Sequence, residues 1–238
     1  MRAQEILVER HTGHGFFQRP THCLHLKDCA MILPSSFGGS TTETVGYFAY
    51  NTEMLADWIY RDIGTWEEEH WVEVRPGWSG PSDALSDLTP APTLFRFAFV
   101  PIGGWTVLMS SGPLGSDVGI LPSHAARGLG IRALRAVCTD NDIKYPARIL
   151  EVFGPDGVDI LGYERSIAAS NDGGRWVFET YGTPYDFENL EAYKRRTRST
   201  RFTADMMYAY LRALGVPIGV EPEWSSARML EWRGWEEA

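Results

Sequence analysis

The chain has 238 residues, of which 44% are hydrophobic, 13% aromatic and 22% charged; that composition can bury a sizeable core without covalent staples and is too apolar for extended disorder. A formal net charge of −9 argues against a general nucleic-acid binder, which needs a surplus of Lys and Arg to neutralise phosphates. The cysteines Cys23, Cys29 and Cys138 are too few and odd in number for a disulfide framework. Met1 to Arg10 mixes acids and bases, no apolar signal core follows, and no 18-residue apolar run occurs, so a cytoplasmic protein without membrane segments is expected.

His22 to Leu33 reads as one or two short strands, 37–44 as a Gly/Ser/Thr loop, and Val45 to Tyr50 as a strand. A helix follows, with Asn51 or Thr52 as its cap, Met54, Leu55, Trp58, Ile59 and Ile63 at helical spacing, and Gly64 as its stop. A short strand is predicted near Val72 to Arg75. The stretch Arg75 to Pro92 is rich in Pro, Gly, Ser and Asp and reads as a connection. Leu94 to Val100 and Trp105 to Met109 form a hairpin through Pro101 to Gly104, and a short helix begins at Pro122–Ser123 and ends at Gly128 or Gly130. Ile131 to Cys138 is ambiguous, whereas Arg148 to Phe153 is a strand. Tyr163 to Ala169 and Arg175 to Tyr181 make the clearest hairpin, because Asn171-Asp172-Gly173-Gly174 supplies residues that tolerate a tight turn. Two helices follow, one capped by Asp186 over 187–197, the other capped by Thr203 and stopped by Gly215. The tail from Glu221 reads as a helix that packs Trp224, Trp232 and Trp235.

Strands followed by helices predict an α+β fold: a mostly antiparallel sheet with C-terminal helices packed on it. The expected organisation is an N-terminal lobe over 1–74 with one amphipathic helix, a Pro/Gly/Ser-rich connection over 75–92, and the sheet with its helices over 93–238, either as lobes or as one continuous domain.

Candidate chemistry falls in four places. His11, His14, Cys23, His25 and Cys29 crowd the N-terminal region; imidazole and thiolate suit zinc if four of them converge, although Cys23 and His25 would face away from His22 on a strand. Trp66-Glu67-Glu68-Glu69-His70-Trp71 sets three carboxylates between tryptophans, an acidic and aromatic segment suited to a basic protein partner. Lys194, Arg195, Arg196, Arg198 and Arg201 reverse the overall charge locally; Arg195, Arg196 and Arg198 are the candidate anion binders, beside the plainer expectation of a solvated helix face. Trp232 and Trp235 lie in an acidic tail and are candidate partner contacts. No G-x-S-x-G elbow, HExxH, GxGxxG or P-loop signature is present, and no catalytic residue is assigned.

Residues 171–216 carry Gly174, Arg175, Trp176, Phe178, Glu179, Gly182, Pro184, Phe187, Glu188, Tyr193, Arg196, Arg201, Phe202 and Thr203. This block, about a fifth of the chain, resembles a C-terminal block of uncharacterised bacterial proteins, some of which look like immunity partners of polymorphic toxins. The resemblance implies a packed structural unit and no catalytic residues. Read from the residues alone, Trp176 and Phe178 share one strand face, with Phe187, Leu190 and Tyr193, then Phe202, Met206 and Tyr210, available to cover it.

The leading expectation is a non-enzymatic cytoplasmic protein-binding module of the immunity type, directed at a basic toxin domain, with no cofactor and no nucleic acid. The alternatives are a metal-dependent enzyme using zinc at the 11–29 cluster and an accessory protein of a phage or other mobile element.

Overall fold

The computed structural model describes residues 44–67, 71–88, 95–111, 117–139, 141, 144–157 and 160–232, with the side chains of 63–67 excluded. The strands are β1 (Thr44–Phe48), β2 (Trp71–Val74), β3 (Arg96–Ile102), β4 (Trp105–Ser111), β5 (Ala133–Cys138), β6 (Ala147–Phe153), β7 (Tyr163–Asn171), β8 (Trp176–Tyr181) and β9 (Arg228–Trp232). They form one nine-stranded sheet in the order β2-β9-β3-β4-β1-β5-β6-β7-β8, and every neighbouring pair is antiparallel. The helices are α1 (Thr52–Glu67), α2 (Pro81–Leu88), α3 (Leu121–Leu129), the single turn α4 (Leu190–Tyr193) and α5 (Ala204–Ala213). The fold is therefore α+β and sheet-dominated, with helices distributed along the chain rather than gathered at its C-terminal end.

Both faces of the sheet are covered, so the central strands are apolar on both sides. One face buries Phe48, Phe99, Leu108 and Leu230 against Leu55 and Ile59 of α1 and Ala125 and Ala126 of α3. The other buries Tyr47, Val100, Val107, Leu134 and Leu150 against Ala84 and Leu88 of α2 and Met207, Tyr210 and Leu211 of α5. This double burial explains why Ile131 to Cys138 is ambiguous by periodicity: β5 lies between β1 and β6 and is buried at Ala133, Leu134, Ala136, Val137 and Cys138.

Several elements depart from expectation for local reasons. Gly64 does not stop α1, which continues to Glu67. The connection at 75–92 contains α2, opened by Pro81, whose missing N–H is harmless in a first turn. Trp78 anchors this segment by donating from Nε1 to Asp87 Oδ2 at 2.6 Å. Asn189, not Asp186, caps the helix: its side chain accepts from Ala192 N, and only one turn follows. Thr203 caps α5 as expected, its side chain accepting from Met206 N. The largest departure is at the C-terminal end, where β9 replaces the expected helix and inserts between β2 and β3. β1 and β2 precede the 75–92 connection, yet β1 sits between β4 and β5 and β2 pairs with β9.

A buried ion pair holds β7 to the segment after β8. Arg165 has the inward register of Ile167 and Ala169, and its side chain is 2% exposed, while that of Glu188 is fully buried. Arg165 donates from Nε to Glu188 Oε1 at 2.9 Å and from Nη2 to Oε2 at 2.7 Å, and Nη1 reaches the carbonyls of Tyr181 and Gly182 at 2.9 Å. Glu188 also accepts from Tyr185 N at 3.0 Å and from Tyr193 Oη at 2.9 Å. Burial alone would lower the Arg165 pKa, but Glu188 raises it on balance. Burial, then Tyr210 and Glu188, push the Tyr193 phenol well above its ordinary value. Gly182 is required here: its φ is +81° and a Cβ would lie 2.1 Å from the Glu164 carbonyl oxygen.

Removing one partner of this pair strands the other charge, so Arg165→Met and Glu188→Gln are each expected to destabilise the protein by about 3–5 kcal/mol. Urea unfolding followed by tryptophan fluorescence measures this; a loss below about 1 kcal/mol for both variants would contradict the assigned role.

Candidate functional site

The α1–α3 face carries an open group of polar and apolar side chains. The two helices approach closely because α3 presents Gly128 to Trp58: a Cβ on Gly128 would lie 2.4 Å from Trp58 Cζ2. The same approach sets the Trp58 and His124 rings 5.1 Å apart, tilted at 40°. His124 Nε2 donates to Asp62 Oδ2 at 2.6 Å, and both side chains remain about two-fifths exposed. From α3, Ser123 Oγ donates to the Leu161 carbonyl at 2.5 Å and Arg127 Nη1 donates to the Ile160 carbonyl. These bonds draw the β6–β7 connection over α3 and leave a cleft of about 490 Å³ lined by Ile120, Ser123, His124, Arg127 and Leu161, among others. Ile120 is 71% exposed and Ile160 82% exposed at its rim.

Ser123, His124 and Asp62 do not form a nucleophilic triad. Ser123 and His124 are adjacent on one helix and point in different directions. The serine hydroxyl is committed to a carbonyl, and the imidazole bonds the carboxylate instead of the hydroxyl. A Ser–His hydrogen bond is the feature that would activate the serine, and here the two groups have separate partners. What the arrangement provides is a recessed polar floor between projecting aliphatic side chains.

A second, mostly apolar cleft of about 360 Å³ lies between β3–β4 and the start of α3, lined by Phe95, Phe97, Val118, Leu121 and Asp117, among others. Ser111 contributes to its wall, although its hydroxyl is buried and has no hydrogen-bond partner among the described residues. Asp117 is tied to Arg135, which donates to it from Nε at 2.9 Å and from Nη2 at 2.7 Å and also donates to Glu151 at 2.7 Å. Burial would raise the Asp117 pKa, but Arg135 and the Gly119 N–H bring it below its ordinary value of 3.8.

The third group lies on the opposite face of the sheet, at the β8 edge. Trp176 and Phe178 point to the same face of β8, and Phe178 packs 5.1 Å from Tyr193. Phe187 and Phe202 reach Tyr210 at 5.5 and 5.8 Å, so the aromatic cover expected for residues 171–216 largely forms. Leu190 does not join it and is 44% exposed. The arginines expected on a helix face instead straddle the end of α4 and a short 3₁₀ turn, Arg198–Thr200. Arg198 Nη1 donates to the Trp176 carbonyl at 3.2 Å, Arg195 Nη1 to the Thr200 carbonyl at 2.9 Å, and Arg196 is exposed.

The remaining sequence candidates divide into two sets. Trp71 and Trp232 are cross-strand partners on β2 and β9; both are half-buried, with Trp71 stacked 5.5 Å from Phe97 and Trp232 6.1 Å from Phe95. They are packing residues at least as much as surface. Trp224 is 5% exposed and belongs to the core. Trp66 and Glu67 fall in the last turn of α1, but their side chains lie outside the described residues, as do Glu68, Glu69, Trp235 and the whole set of His11, His14, Cys23, His25 and Cys29. Among the described residues, no three His, Cys, Asp or Glu side chains are grouped to hold a metal ion.

Sequence reading missed the His124–Asp62 pair, separated by 62 positions, and the buried Arg165–Glu188 and Arg148 sites. One signal was available: Arg165 and Arg148 each occupy an inward position of a strand, beside Ile167 and Leu150 respectively, where a charge needs a specific partner. Comparison with protein-family models, curated proteins and solved structures finds no match to this chain.

Two outcomes test this geometry. Gly128→Ala forces Trp58 from its seat and is expected to destabilise the fold by about 1–3 kcal/mol, as overpacking does, with a change in Trp58 fluorescence; an unaltered Tm would contradict the close approach. Asp117 has a depressed pKa, so its stabilisation is present above pH 3.8 and is lost as pH falls below that value. Asp117→Asn should therefore destabilise by on the order of 0.5 kcal/mol at pH 7, given its half-exposed side chain, and the gap from the parent should close in acid unfolding curves.

Proposed function

We propose that this chain is a non-enzymatic protein-binding module of the immunity type, and that it receives a basic toxin domain on the α1–α3 face. The observation that carries the reading is the outward projection of Ile120, Ile160 and Leu161, at 71%, 82% and 43% exposure, around a polar cleft. Aliphatic side chains held this far into water lose hydration cost when a partner covers them. The His124–Asp62 pair and Arg127 at the cleft supply hydrogen-bonding partners beside them.

Charge favours the same class of partner. The outer side of α1 carries Glu53 and Asp57 with exposed Met54 and Tyr60, and the whole chain is at −9. Such a surface accelerates encounter with a cationic protein. Glu53 and Asp57 are also anchored: Arg228, only 3% exposed at its side chain, pairs with Glu53 at 2.9 Å, Asp57 at 2.7 Å and Glu73 at 2.5 Å. The Arg75 hydrogen bond, followed by the charges of Arg228 and Arg75, holds the Glu53 carboxyl below its ordinary pKa despite some burial. The toxin-inhibiting role and the cytoplasmic setting rest on the 171–216 resemblance and on the low cysteine count.

Co-expression with basic nuclease-type toxin domains of its own genome tests the reading. The parent chain is expected to restore growth and co-purify with one of them. Ile120→Asp together with Ile160→Asp should weaken the complex by about 2 kcal/mol or more, the scale of an interface hot spot, without lowering Tm. Full protection by the double variant would remove this face, and absence of protection by the parent would remove the immunity role.

A further inference from the structure

We propose that the arginine-framed end of β8 is a binding site for a phosphate group. Arg148 on β6, Ala169 on β7 and Phe178 on β8 stand in register across the sheet. The Arg148 guanidinium lies 5.5 Å over the Trp176 ring, and the Arg201 guanidinium lies 5.6 Å over Phe178, two residues along the same strand. Arg198 bonds the Trp176 carbonyl, and Arg201 Nε donates to the Arg195 carbonyl at 2.7 Å. Two guanidinia, those of Arg148 and Arg201, thus lie over neighbouring rings of β8, with Arg198 bonded to the backbone of the same strand and the Arg195 carbonyl holding Arg201.

Their partners among the described residues are all neutral. Arg148 donates from Nη2 to Asn141 Oδ1, and the other three bond backbone carbonyls. None of the four has a carboxylate partner among the described residues, whereas Arg96, Arg135, Arg165 and Arg228 each do. In a chain with nine surplus negative charges, this group is uncompensated among the described residues. Arg148 is the telling member: it is 7% exposed, and its Nε is buried with no acceptor among the described residues. A desolvated guanidinium with an unused donor is poised for an anion.

The rings and carbonyls fix the guanidinium planes before any ligand arrives, so little side-chain freedom remains to be lost on binding. A phosphate group matches this frame because it brings up to two charges and several acceptor oxygens, and arginine forks recognise it bidentately. The site lies on the sheet face opposite the α1–α3 cleft and can be tested independently of it.

Calorimetric titration of the full chain with inorganic phosphate, adenosine monophosphate and citrate at matched ionic strength decides the matter. Saturable one-site binding is expected for at least one phosphate probe. Equal affinity for both identifies the free anion, and tighter binding of the nucleotide identifies a phosphate ester. Arg148→Gln and Arg198→Gln should each weaken binding about tenfold or more, a change of roughly 1.4 kcal/mol. Should Arg148→Gln fail to fold by circular dichroism, the exposed Arg198→Gln decides alone. The assignment is overturned if neither phosphate probe saturates, if the folded variants bind like the parent, or if citrate binds as tightly as phosphate.

Discussion

The pair of Arg165 and Glu188 is the constraint on which the C-terminal half depends. Two charges removed from water are tolerable only when their hydrogen-bonding capacity is met, and here carbonyls, a backbone N–H and a phenol complete the pair. That requirement bends the chain after β8 through Gly182 and turns Glu188 back onto β7. It thereby sets Tyr193 against Phe178 and positions the arginine-bearing segment over the β8 edge. A hydrophobic substitute could fill the space, but it could not specify the turn, because the carbonyls of Tyr181 and Gly182 would lose their donor.

Charged side chains elsewhere follow the same logic with different geometry. Arg228 and Arg135 lie against one face of the sheet and gather carboxylates from α1, β2, β6 and the segment before α3. They are interior struts with acidic outer ends. Much of the negative charge is thus already engaged in holding helices to the sheet, and around α1 a partner meets the exposed outer side of these paired carboxylates. The arginines beside β8 differ in kind, since their contacts among the described residues orient them without neutralising them.

What could be read beforehand was what local chemistry decides. The hairpin at Asn171 to Gly174 and the cap at Thr203 follow from residues that act within a few positions of themselves. The helix α2 escaped because its buried side is only Ala84 and Leu88, too sparse to stand out from a Pro/Gly/Ser-rich stretch. The strand β9 escaped because Trp224 and Trp232 in an acidic tail suit a helix equally well, and its true partners, β2 and β3, are far away in sequence. For the candidate sites the limit is similar. Arg195 and Arg198 were visible as a basic run, but Arg148, the buried member, joins them only through the register of β6, β7 and β8. The α1–α3 cleft depends on Gly128 admitting Trp58, a packing event with no sequence period.

The placement of β9 has a consequence for synthesis in the cell. Among the described residues, β2 has no sheet neighbour except β9, and the Arg228–Glu73 bonds span 155 positions. A nascent chain leaving the ribosome therefore carries an unpaired Trp71–Val74 edge until Arg228 to Trp232 have emerged. Non-local closure of this sort is slow and leaves strand edges open to foreign pairing in the meantime. A chain that stopped just short of Arg228 would leave β2 without its partner and the outer edge of β3 uncovered, two open strands inviting foreign pairing.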